Sequence, residues 1–186
     1  VAPDPEAYEG YVGRGSQRLA PTFVRFAGVS ENERVLDVGC GTGHLTRAIA
    51  AAAAVATGID LSAPYVEFAR RATADPATTF FVGGALDLPY QEGVFVRPLS
   101  MLALDVVPDS LQGLREMRRV TRRGGVVAVV DNNFRSGWTP FSLVWDAAAM
   151  LDLEGAAMRD EMVSKPLGWP GGLARLFATV GFHEVV

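Results

Sequence analysis

Thiol and imidazole are scarce in this chain. Cys40 is the one cysteine, and His44 and His183 are the two histidines, among 186 residues. No intrachain disulfide can form, and a metal centre of cysteine and histidine ligands lacks its donors; we expect no bound metal. A single thiol fits a reducing, cytoplasmic setting. Long apolar runs are missing too. Residues 48–59 are broken by Thr57 and Gly58, whereas a membrane-spanning helix needs about 20 apolar residues. The first eight residues have neither the basic start nor the apolar core of a secretory signal. Positive charge is not in excess, the formal net charge being −4. Non-specific attraction to nucleic acid or acidic lipid is therefore not expected.

What is present is an ordinary globular balance, with 49% apolar and 20% charged residues, enough for one domain with a single core. Residues 1–19, rich in Pro, Glu, Gly and Arg, read as a surface arm. Residues 20–28 read as a short helix with Pro21 in its first turn and Gly28 at its end. Strands are expected at 34–38, 55–59, 79–82, within 95–102, and at 126–130. Helices between them carry Leu45, Ile49 and Ala52; then Tyr65, Phe68 and Ala69 behind a Ser62 cap; then Leu111, Leu114, Met117 and Val120. Strands alternating with helices imply right-handed crossovers and a mostly parallel sheet with helices on both faces, an α/β fold. Residues 132–170, with Trp138, Phe141 and Trp145, read as a helical insertion of one or two helices. A last helix at 172–180 precedes an expected edge strand at 182–186. No internal repeat divides the chain, and 1–186 reads as one domain.

Residues 35–46 hold the chemistry. A β-branched run ends at Asp37-Val38, passes through Gly39, Gly41 and Gly43, and turns helical. Such glycines bring a ligand against bare peptide at the N-terminus of a helix. A dinucleotide site would use GxGxxG. Here the third glycine comes one residue early, giving GxGxG.

With Asp60 closing the second strand, this loop resembles the class I S-adenosylmethionine-dependent methyltransferases, in particular the small-molecule group called type 11. Four further segments match in order. These are Gly58-Ile59-Asp60-Leu61-Ser62, residues 83–90, residues 100–109, and residues 114–120 with Gly124-Gly125. The resemblance implies a Rossmann-like sheet of order 3-2-1-4-5 with a C-terminal edge strand and no seventh strand. It implies S-adenosylmethionine as cofactor and a small-molecule methyl acceptor as partner. Backbone at Gly39, Cys40 and Gly41 would cradle the methionine part, with Asp37 near its amino group. Asp60 would accept from both ribose hydroxyls, and Leu61 would lie on the adenine. Ala85 and Leu86 would reach the adenine edge, Ser100 and Met101 would line the sulfonium side, and Tyr11 and Arg14 would belong to a segment closing over the cofactor.

Three departures from the family pattern stand out. Gly84 replaces an acid that in relatives bonds the adenine amine. Pro98 stands where strand four should be central, so that strand is expected to start only at about Leu99 or to carry a bulge. The chain as given stops inside the sixth strand. They motivate an alternative, a degenerate methyltransferase-like domain serving as a binding or structural module.

Each feature also has a plainer reading. Asp37 could cap the helix after the loop, and Asp60 could be a surface acid. Cys40 reads as packing, not a nucleophile. The arginines 115, 118, 119, 122 and 123 read as a solvated helix face. Trp138, Phe141 and Trp145 fit the core of the insertion as well as a substrate wall. Tyr11, His44, Asp105 and Asp131 are the candidate bases, and nothing in the sequence distinguishes one of them.

Overall fold

The computed structural model describes residues 4–52, 54–133, 139–164, 167, 169 and 171–186. The chain divides into two compact units, residues 1–130 and residues 131–186. In the first, five strands form a parallel sheet of order β3-β2-β1-β4-β5: β1 Arg34–Val38, β2 Val55–Asp60, β3 Thr78–Val82, β4 Arg97–Met101 and β5 Ala128–Val130. β1 sits at the centre, paired with β2 through Asp37↔Gly58 and with β4 through Asp37↔Leu99. Val35, Leu99, Met101 and Ala128 bury one face beneath α2 (Arg14–Phe26) and α3 (His44–Ala51). Leu36 is just as buried and points to the other face by strand alternation. α5 (Ser110–Val120), in contact with β4, turns Leu114, Met117 and Val120 inward.

The N-terminal stretch differs from the expected surface arm. Its described part is helical throughout: α1 Pro5–Tyr8, a π turn over Glu9–Gly13, then α2. Asp4 caps this helix by accepting from the Glu6 and Ala7 N–H groups, and Pro5 occupies the first turn, where its missing N–H is harmless. Ser16, Ala20, Phe23, Val24 and Ala27 form the buried stripe that holds it down. Pro21 is therefore inside a longer helix and not in the first turn of a short one. It is exposed, as is Gln17 one turn earlier, so the carbonyl it leaves unbonded faces water.

Strand four also starts earlier than expected, at Arg97, with Pro98 paired to Leu36. Backbone polar groups along a strand change sides at a period of two. The Leu102 N–H donates to Val130 O at 2.8 Å, so the nitrogen of Pro98 faces the β5 side as well. There it lies below the first β4–β5 pair, Leu99↔Ala128, and the missing N–H falls outside the ladder. β5 accordingly starts at Ala128 rather than at 126. Arg97 itself donates to the Glu33 carboxylate at 2.9 Å and to Ala27 O at 2.6 Å, fixing the α2–β1 loop at the end of the sheet remote from the glycine loop. That pairing holds the Glu33 carboxyl below its usual value.

The second unit contains α6 Thr139–Leu151, α7 Leu153–Ser164 and α8 Gly172–Val180. Trp138 and the Phe141 side chain lie outside what is described. Residues 182–186 form no strand, contrary to expectation. Gly181 closes α8 in the left-handed conformation (φ +85°), and Phe182 folds back so that its ring lies 4.8 Å from that of Phe177. Its N–H donates to Phe177 O at 3.1 Å, which turns the chain off an extended course.

Candidate active site

The glycine loop leaves β1 tied to the end of β2. Gly39 N–H and Cys40 N–H both donate to Ile59 O, at 2.8 and 3.0 Å. Gly41 N–H donates to Asp60 Oδ2 at 2.9 Å, while Asp60 Oδ1 accepts from Ser62 N–H at 2.8 Å. Gly43, at φ +89°, starts α3 and donates to Cys40 O at 2.8 Å. The N–H groups of Gly39, Cys40 and Gly41 are thus committed inside the fold. What faces the cavity beside them is the pair of carboxylates of Asp37 and Asp60, a rim suited to a cation.

Asp37 is 1% exposed. Its Oδ2 accepts from the hydroxyl of Thr46, in the first turn of α3, at 2.6 Å. Asp37 thus ties β1 to the first turn of α3 through a side-chain hydroxyl and not through a backbone cap. Oδ1 has no partner among the described residues. Burial pushes the Asp37 carboxyl from 3.8 up to about 7, against the opposing pull of the Thr46 hydroxyl. An acid that holds its proton more tightly in the fold than in the open chain stabilises fully below 3.8, and that contribution is lost as pH rises through about 7. Asp37→Asn should flatten this fall. Urea midpoints measured across that interval check it, and equal slopes in both proteins would reject it.

Asp37, Gly41, Asp60, Leu61 and Met101 share a cavity of about 820 Å³ at the C-terminal ends of β1, β2 and β4, with Gly39 and Cys40 on its floor. Its roof is the N-terminal helix, through Tyr8, Val12 and Ser16. Tyr11 is 66% exposed and does not line the cavity, and Arg14 is likewise exposed and off it. The face turned to the cavity is the one spaced by four from Tyr8. That spacing was the available signal, obscured by the prolines and glycines around it. Ala85 and Leu86 lie against the start of α5 instead, where Gln112 Nε2 donates to Leu86 O at 3.3 Å. Their loop is held by Glu116, which accepts from Leu88 N–H at 2.8 Å, and by Arg119, which donates to Leu88 O and Tyr90 O. One arginine of the expected solvated run is therefore a loop anchor. Ser100 is buried with its hydroxyl unpartnered among the described residues, and it points away from the Asp37 face because Leu99 is the residue paired with Asp37.

His44 lines the cavity with both nitrogens engaged. Nε2 lies 2.9 Å from the Glu9 carboxylate and Nδ1 lies 3.1 Å from the Arg47 guanidinium. Since Arg47 can only donate, the network assigns the ring proton to Nε2. His44 is thereby a clasp between α3 and the π turn, not an available base. Burial pushes the Cys40 thiol well above its usual range, which agrees with its reading as packing. Leu102, also on the cavity wall, holds φ +56°, a strained value for a bulky residue of the kind that recurs at functional sites. No helix among the described residues is long and apolar enough to cross a membrane.

A parallel sheet in this order, with a glycine loop after the central strand and an acid at the end of its neighbour, defines the Rossmann-like α/β class that binds ligands at strand C-termini. Within that class, residues 36–129 match the family described as "Methyltransferase domain", and the chain belongs to it. Over 110 residues it is 36% identical to a demethylmenaquinone methyltransferase of Staphylococcus aureus (strain JH9), covering 57% of this chain and 46% of that protein. The chain thus spans about half the length of the curated relatives it matches. A methyltransferase-fold crystal structure from Bacillus halodurans C-125 superposes with a TM-score of 0.68 at 22% identity, over 87% of this chain and 67% of that one. The (4+2)-cyclase SpnF superposes with a TM-score of 0.58 at 29% identity, over 62% and 44% of the two chains.

Proposed function

We propose that the cavity binds S-adenosylmethionine and that the chain transfers its methyl group to a small-molecule acceptor. The observation that carries this reading is the loop's polarity. The N–H groups of Gly39, Cys40 and Gly41 are bonded internally to Ile59 and Asp60, and a buried carboxylate oxygen of Asp37 has no partner among the described residues. That arrangement suits the ammonium of the cofactor's methionine part and not the pyrophosphate of a dinucleotide. Asp60 keeps acceptor capacity on each oxygen after bonding Gly41 and Ser62, so it can take the ribose hydroxyls as well. Leu61, 78% exposed at the cavity, offers an apolar shelf to the base. Met101 lines the sulfonium side.

The bound sulfonium supplies an electrophilic methyl group. The chain's part is to orient the acceptor's lone pair in line with that carbon and to keep water out. Val12, Leu102 and Val106 give the remaining wall an apolar character, which fits an apolar acceptor, and the similarity to a demethylmenaquinone methyltransferase agrees with an aromatic one. We assign no general base. The phenols of Tyr8 and Tyr65 are both raised by burial and stay protonated.

A second reading, a degenerate, non-catalytic binding or structural module that holds the cofactor weakly or not at all, draws on Gly84. Calorimetric titration with S-adenosylmethionine decides between them: heat saturating at one site per chain supports the methyl-transfer reading, and no heat at millimolar cofactor would sink it. Gly84 also yields a gain-of-function prediction. Among the described residues a Cβ there would meet only Leu61 Cδ1, at 3.7 Å, so Gly84→Asp fits sterically and can supply the missing acceptor for the adenine amine. Affinity should rise roughly tenfold, the value of one hydrogen bond to a charged group. The same titration checks it, and an unchanged or weaker affinity would place the adenine elsewhere.

A further inference from the structure

We infer that the Tyr65 hydroxyl is the hydrogen-bonding anchor for the base end of an adenosyl ligand, a role that rests on the cofactor reading above. Tyr65 is 8% exposed, it walls the same cavity as Asp60 and Leu61, and its hydroxyl has no partner among the described residues. A buried hydroxyl without a partner is unfavourable in the empty protein, and a ligand atom that reaches it removes that penalty. Burial pushes the phenol up to about 12, so the group is a neutral hydroxyl able both to donate and to accept. The ring is fixed by Tyr8, whose centroid lies 5.2 Å away.

The order of elements says which part of a ligand arrives there. Asp37 comes from the central strand β1, Asp60 from the end of its neighbour β2, and Tyr65 from the helix α4 (Ala63–Arg71) that follows β2. A ligand with its cation at Asp37 and its diol at Asp60 has its third part beside Leu61 and Tyr65. An apolar shelf, an aromatic ring and one hydroxyl are what a purine needs: a surface for its face, and a partner for a ring nitrogen or an exocyclic amine. Gly84 offers no polar side chain at that end. The hydroxyl of Tyr65 can donate to a ring nitrogen there, which leaves the exocyclic amine open to an acid at position 84.

Tyr65→Phe keeps the ring and its packing on Tyr8 and removes only the hydroxyl. Its affinity for S-adenosylhomocysteine should fall about five- to tenfold, the range for one neutral hydrogen bond in a buried site. Its ligand-free thermal midpoint should stay level or rise, because an unpaired buried group has gone. Binding is read by calorimetry and the midpoint by scanning calorimetry on the whole chain. Unchanged affinity in the variant overturns the inference while leaving the cofactor reading standing. A lower ligand-free midpoint overturns it too, since the hydroxyl would then be bonded within the fold. A wild-type chain that takes up no S-adenosylhomocysteine overturns both.

Discussion

Replacing Asp60 by alanine is expected to weaken S-adenosylmethionine binding about a hundredfold, or roughly 2.7 kcal/mol. Two effects combine. The carboxylate is the proposed acceptor for the ribose hydroxyls, and it also receives Gly41 N–H and Ser62 N–H. Removing it leaves two backbone donors unbonded at the cavity edge, which lets the loop move away from its bound geometry. Asp60→Asn separates the contributions. An amide presents one oxygen, so it can satisfy Gly41 or Ser62 but turns its own N–H groups toward the other donor. The asparagine variant should therefore bind nearly as poorly as the alanine one, although its volume is conserved. Titration of the three proteins under one condition checks the order, and an alanine variant with wild-type affinity would remove Asp60 from the site.

Gly39→Ala is expected to lower folding stability by about 2–4 kcal/mol, through left-handed strain and overpacking together. Gly39 holds φ +77°, and an added Cβ would overlap the Ala103 Cβ. Nothing nearby can yield cheaply, because Ala103 follows strained Leu102 and Gly39 is itself pinned to Ile59 O. The comparison is Gly41→Ala. That position also has a positive φ, +51°, but a Cβ there meets no atom of the described residues within 4 Å, so only the strain of about 1 kcal/mol should register. Pairing Gly39→Ala with Ala103→Gly should recover the overlap part and leave the strain, which a double-mutant cycle of urea midpoints reads directly. Equal destabilisation by the two single glycine substitutions would show that the Ala103 contact carries nothing.

The parts of the site written in local sequence were legible. The run into Asp37, the spacing of Gly39, Gly41 and Gly43, and the acid at Asp60 each specify a backbone turn or a charge whose chemistry does not depend on distant partners. Leu114, Met117 and Val120 declared a buried helix face in the same way. The N-terminal helix was not legible as a helix because composition and position pull apart there. Its prolines and glycines suggest an irregular arm, yet Pro5 lies at a helix start, Pro21 faces water, and Gly13 gives room to the Glu9 carboxyl that reaches His44. The roof residues were accordingly sought at Tyr11 and Arg14, while the face that meets the cavity carries Tyr8, Val12 and Ser16. Pro98 misled for a related reason. A proline disrupts a strand only where its missing N–H faces a partner, and register decides that. Residues 182–186 carry strand-like composition, but the left-handed Gly181 and the Phe177–Phe182 contact turn them away.

By itself, then, the sequence determined the architecture class, the glycine loop and the two acids beside it, which follow from local period, turn chemistry and residue type, while the strand order came from the family resemblance. The tertiary structure alone decided which groups remain available. Ile59 O and Asp60 take up the N–H groups of the loop, Thr46 takes one oxygen of Asp37 and leaves the other, Arg47 and Glu9 occupy both nitrogens of His44, and burial strands the hydroxyl of Tyr65. Availability depends on partners far apart in the chain and on the exclusion of water, and neither is a local property of the residues that carry it.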